Sequence, residues 1–323
     1  MDLRKVQETG GTFLISLPRG WAQRNGVDRG SLVSVIETDN GRLIIDPKYE
    51  LKKNVEAAEL SPSPYLRREI TGKYLLGFDV IKIVGKTRLP PETSERVRET
   101  IQGLIGLEIV EEDADKIVLQ FLLEPALFTP ERILRREYLF ASSMHKDVMT
   151  SLFERDVSLA SAVLKRDDEV DRLYLLLVRL LRTVLQNPRL SEKMGVSMID
   201  CLDYRMIASH VEAIGDHSCK IALDVVEFSR VSIPEDVSHY IRQVSDTAYG
   251  MHETAMQAVF SKTYGSIDAV AKGRLEVQSR LDEVEKLLVE AQPEVAAFVS
   301  SVSFSLRRIC DASADIADIV LPR

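Results

Sequence analysis

A helical pattern runs through the whole second part of the chain. From about Pro130 to the C-terminus, apolar residues recur at intervals of three and four, and no alternating strand pattern appears. Prolines and glycines interrupt this pattern and divide it into about six predicted helices. The interruptions lie at Asn187-Pro188, Pro234, Gly265 and Pro293. Amphipathic helices bury their apolar stripes against one another, so the pattern predicts helical bundles.

The helical region also repeats weakly on itself. Residues 168–173, Asp-Glu-Val-Asp-Arg-Leu, recur at 282–287 as Asp-Glu-Val-Glu-Lys-Leu, and residues 213–216 recur at 308–311. Both elements keep the same order in each half, as a tandem duplication requires. The sequence therefore predicts an all-α domain at 129–323 that contains two three-helix bundles, at about 129–230 and 231–323.

Residues 1–50 have the pattern of a small β domain. Runs at 12–17, 32–36 and 42–45 favour strands, and Asn40-Gly41 is typical of a hairpin turn. A short helix is predicted between the first two strands, where Pro18 begins a segment that Gly26 ends. A domain of this size can scarcely bury a core of its own, so we expect it to pair with a second copy.

Residues 51–128 combine a linker with a small α+β module. The stretch at 60–64, rich in serine and proline, is typical of a connection between domains. Helical and strand patterns alternate beyond it. The predicted helices cover about 65–76 and 91–104, and the predicted strands cover 80–84, 107–110 and 116–120.

Charge and composition narrow the classes of function. The 323 residues carry a formal net charge of -8, so any contact with nucleic acid must come from a local basic patch. No segment approaches the roughly 18 apolar residues of a membrane span, and the N-terminus lacks the apolar core of a signal peptide. The three cysteines form no CxxC pair. We therefore expect a cytoplasmic protein that is not an integral membrane protein.

Acidic residues spaced one helical turn apart mark the candidate site. Glu212 and Asp216 lie only about 40° apart on one helix face. Asp167 and Asp171 form a second pair on the preceding predicted helix, which a three-helix bundle places alongside. A hard cation relieves the repulsion between such carboxylates, so the four residues predict a di- or multi-metal site. A solvated charged stripe is the alternative that spacing alone leaves open.

The second repeat carries a less regular version of this pattern. Arg307 stands at the position of Glu212, and Leu281 stands at that of Asp167. Asp311 and Asp315 again form a one-turn acidic pair, but a salt bridge from Arg307 to Asp311 would need no metal. We expect any second site to be shifted or degraded.

Familiar catalytic motifs do not occur in the sequence, which contains no GxSxG, HExxH or P-loop pattern. Cys219 follows His217 closely, but near neighbours on a helix point in different directions, so we expect a buried structural cysteine. His210 and His217 share a face that differs from that of the acids, and we do not expect them to be ligands. These features predict a protein that is not an enzyme, with a metal-dependent hydrolase as the enzymatic alternative.

The acidic motif of the first repeat resembles a known signature. Glu212, followed by Ile-Gly-Asp-His at 214–217 and Ile-Ala at 221–222, resembles the PhoU family of phosphate-uptake regulators. The resemblance covers roughly residues 130–320 and implies two three-helix repeats whose E/D-xxx-D motifs bind clusters of metals such as iron, zinc or magnesium. The metal ligands that it implies are Asp167, Asp171, Glu212, Asp216, Asp311 and Asp315. The chain departs from the family at Lys220 and Asp315, where asparagine is common.

Residues 3–47 resemble an AbrB/SpoVT-type domain. The match includes Gly-Gly-Thr at 10–12, Ser-Leu-Pro at 16–18, Trp21, Gly26, Gly30 and Leu-Ile-Ile-Asp-Pro at 43–47. The resemblance implies a swapped-hairpin β-barrel that forms a homodimer and binds DNA. Basic residues outnumber acidic ones within residues 1–30, and salt-sensitive phosphate contacts are expected from Arg4, Lys5, Arg19 and Arg24.

The two resemblances together imply a regulator of phosphate uptake. Its N-terminal barrel would bind DNA as a dimer, and its helical domain would sense metal, phosphate or a partner. The partners implied are phosphate transporter subunits or a sensor kinase. The alternative is a dimeric adaptor that docks on such a partner without binding DNA.

Overall fold

The structure is a computed structural model that describes residues 3–37, 41–47, 56–124, 127–263, 265 and 267–320. The chain divides into two compact units, residues 1–55 and residues 56–323. We refer to them as unit 1 and unit 2.

Unit 1 consists of two antiparallel hairpins and a short helix. β1 (Gln7–Thr9) pairs with β2 (Thr12–Leu14). α1 (Arg19–Arg24) follows, and β3 (Ser34–Glu37) then pairs with β4 (Leu43–Asp46). These elements confirm the three predicted strands and the predicted helix, although β2 is shorter than expected. The pattern missed β1 because its Gln-Glu-Thr sequence has no apolar alternation.

A turn of two glycines closes the first hairpin of unit 1. Gly10 and Gly11 have φ angles of 58° and 79° between β1 and β2, a conformation that glycine adopts without a Cβ clash. In the second hairpin, Val35 lies opposite Ile45. The predicted Asn40-Gly41 turn falls between β3 and β4, but Asn40 lies outside the described residues.

The first part of unit 2 is a four-stranded sheet with two helices. Its strands are β5 (Ala57–Leu60), β6 (Val80–Val84), β7 (Leu107–Glu112) and β8 (Lys116–Phe121), in the sheet order β5-β6-β8-β7. β5 and β6 are parallel, and β8 is antiparallel to both of its neighbours. α2 (Leu66–Leu75) and α3 (Pro91–Gln102) complete the module. The predicted α+β class is confirmed. β5 was missed because Ala-Ala-Glu-Leu has no strand-like alternation of large apolar residues.

The rest of unit 2 is helical and forms two bundles. Its helices are α4 (Pro130–Glu154), α5 (Val157–Gln186), α6 (Pro188–Met194), α7 (Met198–Glu227), α8 (Glu235–Ser261), α9 (Ile267–Leu288) and α10 (Pro293–Ile319). α4, α5 and α7 pack against one another, as do α8, α9 and α10, and the two bundles meet where α7 contacts α10 and α4 contacts α8. The predicted pair of three-helix bundles is confirmed. None of the helices in the described residues combines the length and hydropathy that a bilayer-spanning helix requires.

The ends of these helices follow from local capping. Thr129 and Asp156 accept hydrogen bonds from the first turns of α4 and α5, and Ser197 forms a capping box with Asp200 at the start of α7. Asn187-Pro188 was predicted as a simple break. Instead, the Asn187 side chain caps the short helix α6, which the prediction of about six helices did not include.

Candidate functional site

The first bundle brings the four predicted acidic residues together on two packed helices. Asp167 and Asp171 lie on α5, and Glu212 and Asp216 lie on α7, which contacts α5 directly. Gly215 stands between the two acids of α7, and a Cβ built there would lie only 3.5 Å from Val170 of α5. A Cβ at this position would make an ordinary van der Waals contact with α5, so the two helices pack directly against each other beside the acids.

The proximity of these carboxylates is visible in their pKa values. Burial and the charges of Asp216 and Asp171 raise the pKa of Glu212 to about 7. Burial first, and then Asp167, raises the pKa of Asp216, while burial followed by Asp216 raises that of Asp171. Each group thus increases the cost of ionising another, so the apo site holds carboxylates that repel across the α5–α7 contact.

A fifth acid, Glu137 of α4, belongs to the same cluster and was not predicted. It is 0% exposed, and neither carboxylate oxygen has a hydrogen-bond partner. Burial, Glu212 and Asp171 raise its pKa well above the ordinary value, and the nearby Arg205 opposes this rise. A signal was present in the sequence: Glu137 lies in the apolar stripe of α4, four residues after Ile133 and four before Ala141.

The donor set of the first bundle suits a hard cation. One oxygen of Asp167 and both oxygens of Glu137 are buried without hydrogen-bond partners, and such groups are costly unless something satisfies them. Within the described part of the chain, none of the five carboxylates forms an ion pair with lysine or arginine. Carboxylate oxygens are the preferred ligands of Mg²⁺ and similar hard ions. The residues therefore fit the metal that the resemblance implies.

The ligand atoms are not preassembled. Among the described residues, no group of three or more histidine, cysteine, aspartate or glutamate side chains is positioned to hold a metal ion as it stands. Like charges separate when no cation holds them, so side-chain rotations on α5 and α7 would have to gather the oxygens around an ion.

In the second bundle, arginines surround the corresponding acids. Asp311 of α10 accepts a charged hydrogen bond from Arg274 of α9 at 2.9 Å and lies 3.5 Å from Arg308. The Arg307–Asp311 salt bridge that the sequence left open is not formed, because Arg307 instead reaches Glu285 on α9 at 3.4 Å. Asp315 lies 3.7 Å from His210 of α7. This set does not fit a metal centre, since Asp311 and Glu285 already pair with arginines.

Cys219 is buried, as expected for a structural cysteine. Its thiol lies 3.9 Å from the carbonyl of Val163 and also interacts with Asp167. Burial first, and then the charge of Asp167, raises the pKa of the thiol. A thiol held in its protonated form is a poor nucleophile, so the geometry offers no support for cysteine chemistry at this position.

The basic residues predicted to contact DNA are exposed in unit 1. Arg4 and Lys5 precede β1, and Arg19 and Arg24 lie at the two ends of α1. Five residues of helix rotate the direction of a side chain by about 140°, so α1 does not present both arginines on one face. Their use in a common DNA-binding surface stays a prediction.

Tandem three-helix bundles with acidic one-turn motifs define a two-repeat helical domain, which here follows a small α+β module and a hairpin unit. Residues 134–225 match the family model of the PhoU domain. Residues 6–52 match the model described as antidote-toxin recognition MazE, bacterial antitoxin. Residues 134–225, which form most of the first repeat, are thus similar to the PhoU domain, and residues 6–52 are similar to a MazE/AbrB-like domain, which confirms both resemblances.

Solved structures show the same helical fold. PhoU from Pseudomonas aeruginosa matches with a TM-score of 0.54 and 18% identity, covering 59% of this chain and 93% of that one. The phosphate transport system regulatory protein PhoU from Streptococcus pneumoniae matches with a TM-score of 0.53 and 14% identity, covering 59% and 91%. No sequence among curated proteins matches the chain significantly.

Proposed function

We propose that this chain is a non-enzymatic regulator of phosphate uptake that binds DNA as a homodimer through unit 1 and senses metal, phosphate or a partner through its helical domain. The observation that carries the proposal is the joining of a PhoU domain to a MazE/AbrB-like domain in one chain. Phosphate transporter subunits and a sensor kinase are the partners that we propose for the helical domain. The second candidate is a dimeric adaptor that does not bind DNA.

Dimerisation through unit 1 is supported by its lack of a core. No described side chain of unit 1 is buried, and Leu3, Phe13 and Leu43 are 85%, 73% and 65% exposed. Burying a large apolar side chain contributes about 1.5–3 kcal/mol, so these three alone offer about 5–9 kcal/mol per protomer before the costs of association. A second copy of the same two hairpins is the occupant that we propose for this surface.

DNA binding is tested by removing the two arginines of α1. We expect Arg19→Ala/Arg24→Ala to weaken retardation of genomic fragments about tenfold in gel shifts, and to reduce the slope of log K against log salt by about 3–4 per dimer. The reason is the loss of up to two phosphate contacts from each protomer. The matched control is Arg67→Ala/Arg68→Ala, which removes two exposed arginines of α2. If the unaltered protein retards genomic fragments at low salt no more than a non-specific control protein does, the second candidate function, a dimeric adaptor that does not bind DNA, is correct.

Metal sensing is the second part of the proposal. Asp167, Asp171, Glu212 and Asp216 would hold a metal ion or cluster between α5 and α7, with iron, zinc and magnesium as the candidates. Bound there, the metal would supply positive charge to a group of mutually repelling carboxylates. Glu137 adds a further carboxyl group from the buried side of the cluster, where its raised pKa favours the protonated form. The proposal is confined to the first repeat because Asp311 already pairs with Arg274 and Arg308.

The proposed metal site predicts that one variant loses bound metal but becomes more stable to heat when no metal is present. Glu212→Ala/Asp216→Ala should lose most of the metal found by elemental analysis in protein purified without chelator. In chelator at neutral pH it should unfold at a higher temperature than the unaltered protein, because two repelling carboxylates are gone. The matched control is Glu95→Ala/Glu99→Ala, an exposed one-turn pair on α3. Equal metal in all three proteins would show that the ligands were wrongly chosen.

A further inference from the structure

We infer that arginines take the place of a metal in the second repeat, so that each chain carries one metal centre and not two. The inference rests on the proposed metal site of the first repeat. It concerns the structurally equivalent surface formed by α9 and α10, which pack together as α5 and α7 do. The three residues that carry it are Arg274, Arg307 and Arg308.

The repeat register shows where the arginines were gained. Alignment of residues 168–173 with 282–287 places Arg274 at the position of Ala160. Alignment of residues 213–216 with 308–311 places Arg307 and Arg308 at the positions of Glu212 and Ala213. At these positions and those of the other acids, the first repeat has four carboxylates and no arginine. The second repeat has two carboxylates and three arginines there.

Each remaining acid at these positions forms a salt bridge with an arginine. One oxygen of Asp311 accepts from Arg274 at 2.9 Å, and its other oxygen lies 3.5 Å from Arg308. Glu285, the counterpart of Asp171, lies 3.4 Å from Arg307. A metal ion would have to displace these guanidinium groups and then remain beside them, and like charges at such distances repel strongly.

The arginines also make the cross-helix link that a metal would make. Arg274 reaches from α9 to Asp311 on α10, and Arg307 reaches back from α10 to Glu285 and Gln278 on α9, with a 3.0 Å hydrogen bond to the latter. Guanidinium groups are always charged and present several donors in a fixed plane, which suits them to this role. The α9–α10 contact is thus neutralised at all metal concentrations, whereas the α5–α7 contact is not.

Two variants test this inference by metal titration. The probes are Mg²⁺, Zn²⁺ and, without oxygen, Fe²⁺, each added to chelator-treated full-length protein in a calorimeter. Asp311→Asn should leave the number of ions bound per chain unchanged. Arg274→Ala/Arg307→Glu/Arg308→Ala removes all three arginines, restores an acid at the position matching Glu212 and should raise that number about twofold. Asp311→Asn in the same background should remove this gain.

Three results would overturn the inference. The first is a loss of metal in Asp311→Asn as large as in Glu212→Ala/Asp216→Ala. The second is a failure of Arg274→Ala/Arg307→Glu/Arg308→Ala to gain metal, and the third is a gain that Asp311→Asn does not remove. A protein that binds none of these ions would contradict the proposed metal site itself. Thermal unfolding in chelator then tests whether the arginines neutralise the second repeat. Asp311→Asn should lower the unfolding temperature while Glu212→Ala/Asp216→Ala raises it. An increase in both variants would mean that the arginines do not neutralise the second repeat.

Discussion

Replacing Arg179 with alanine should lower the free energy of unfolding of unit 2 by about 3–5 kcal/mol. Arg179 lies on α5 and is only 3% exposed. Its Nη1 donates to the carbonyls of Tyr74 and Phe78 at 2.6 and 3.0 Å, and its Nη2 donates to the carbonyl of Gly77 at 3.2 Å. The guanidinium also lies 3.8 Å from the centre of the Phe121 ring.

The size of this effect follows from what remains after truncation. The carbonyls lie at and just beyond the end of α2, where helical backbone acceptors lack partners within the helix. Alanine would remove a donor from all three carbonyls, of which only that of Tyr74 keeps another among the described residues, the Gly77 N–H, and it would also open a cavity beside Phe121. Because α5 carries both Arg179 and the acids of the candidate site, this contact ties the α+β module to the helix that the proposed metal would link to α7.

The matched control for this prediction is Arg182→Ala, on the same helix but exposed to solvent. Urea denaturation followed by circular dichroism measures the free energy, and hydrogen exchange should show the largest loss of protection in α2 and β6. If the two variants differ by less than about 1 kcal/mol, Arg179 does not have the structural role assigned to it.

Acid should destabilise unit 2 through a buried pair of histidines between the two bundles. His145 on α4 lies 3.1 Å, Nδ1 to Nε2, from His252 on α8. The other ring nitrogens lie 2.9 Å from the Tyr138 hydroxyl and 3.4 Å from that of Ser245. These contacts form a continuous chain when both rings are neutral, since each ring then donates once and accepts once.

The direction of the pH dependence follows from the lowered pKa values. Burial lowers the pKa of His145 from 6.5 to about 4, and burial together with His145 lowers that of His252. Between about pH 6.5 and 4 these histidines are therefore protonated in the unfolded chain but neutral in the folded chain. The free energy of unfolding falls as the pH decreases through this range. His145 alone accounts for about 3 kcal/mol across this range, at 1.36 kcal/mol per pKa unit.

A pair of variants isolates this contribution from the carboxylates, which also titrate in acid. Urea denaturation at several pH values between 7.5 and 4.5 should show a steeper loss of stability in the unaltered protein than in His145→Asn/His252→Gln. The exposed His239, replaced by glutamine, serves as the control and should retain the full slope. An identical slope in the double variant would contradict the assignment, because the buried pair would then not be the source.

The site was predictable from the sequence only in part. The spacing of Glu212 and Asp216 placed them on one face, and bundle packing placed Asp167 and Asp171 nearby, because helical periodicity is a local property of the chain. Glu137 was missed because spacing arguments search for acids beside acids. Its partners lie on other helices, and its burial is a consequence of three-helix packing.

The partners of Arg179 and of the arginines in the second repeat could likewise not be predicted from local spacing. Arg179 donates to carbonyls more than a hundred residues away along the chain, at Tyr74 and Gly77. The alignment of the two repeats showed that Arg307 stands where the first repeat has Glu212. It suggested Asp311 as the partner of Arg307, whereas the structure has Glu285. The choice between Asp311 and Glu285 depends on side-chain reach between α9 and α10, which no pattern in the sequence describes.

The sequence by itself determined the order of domains, the helices of both bundles and the carboxylates on α5 and α7, because apolar periodicity, capping residues and motif spacing act over a few residues. Tertiary structure alone decided that Glu137 joins the acids, that arginines neutralise the second repeat and that Arg179 fastens the α+β module to α5. Those outcomes depend on which charged groups become buried together. Burial and the choice of electrostatic partner are properties of packed helices, and they arise only when distant parts of the chain meet.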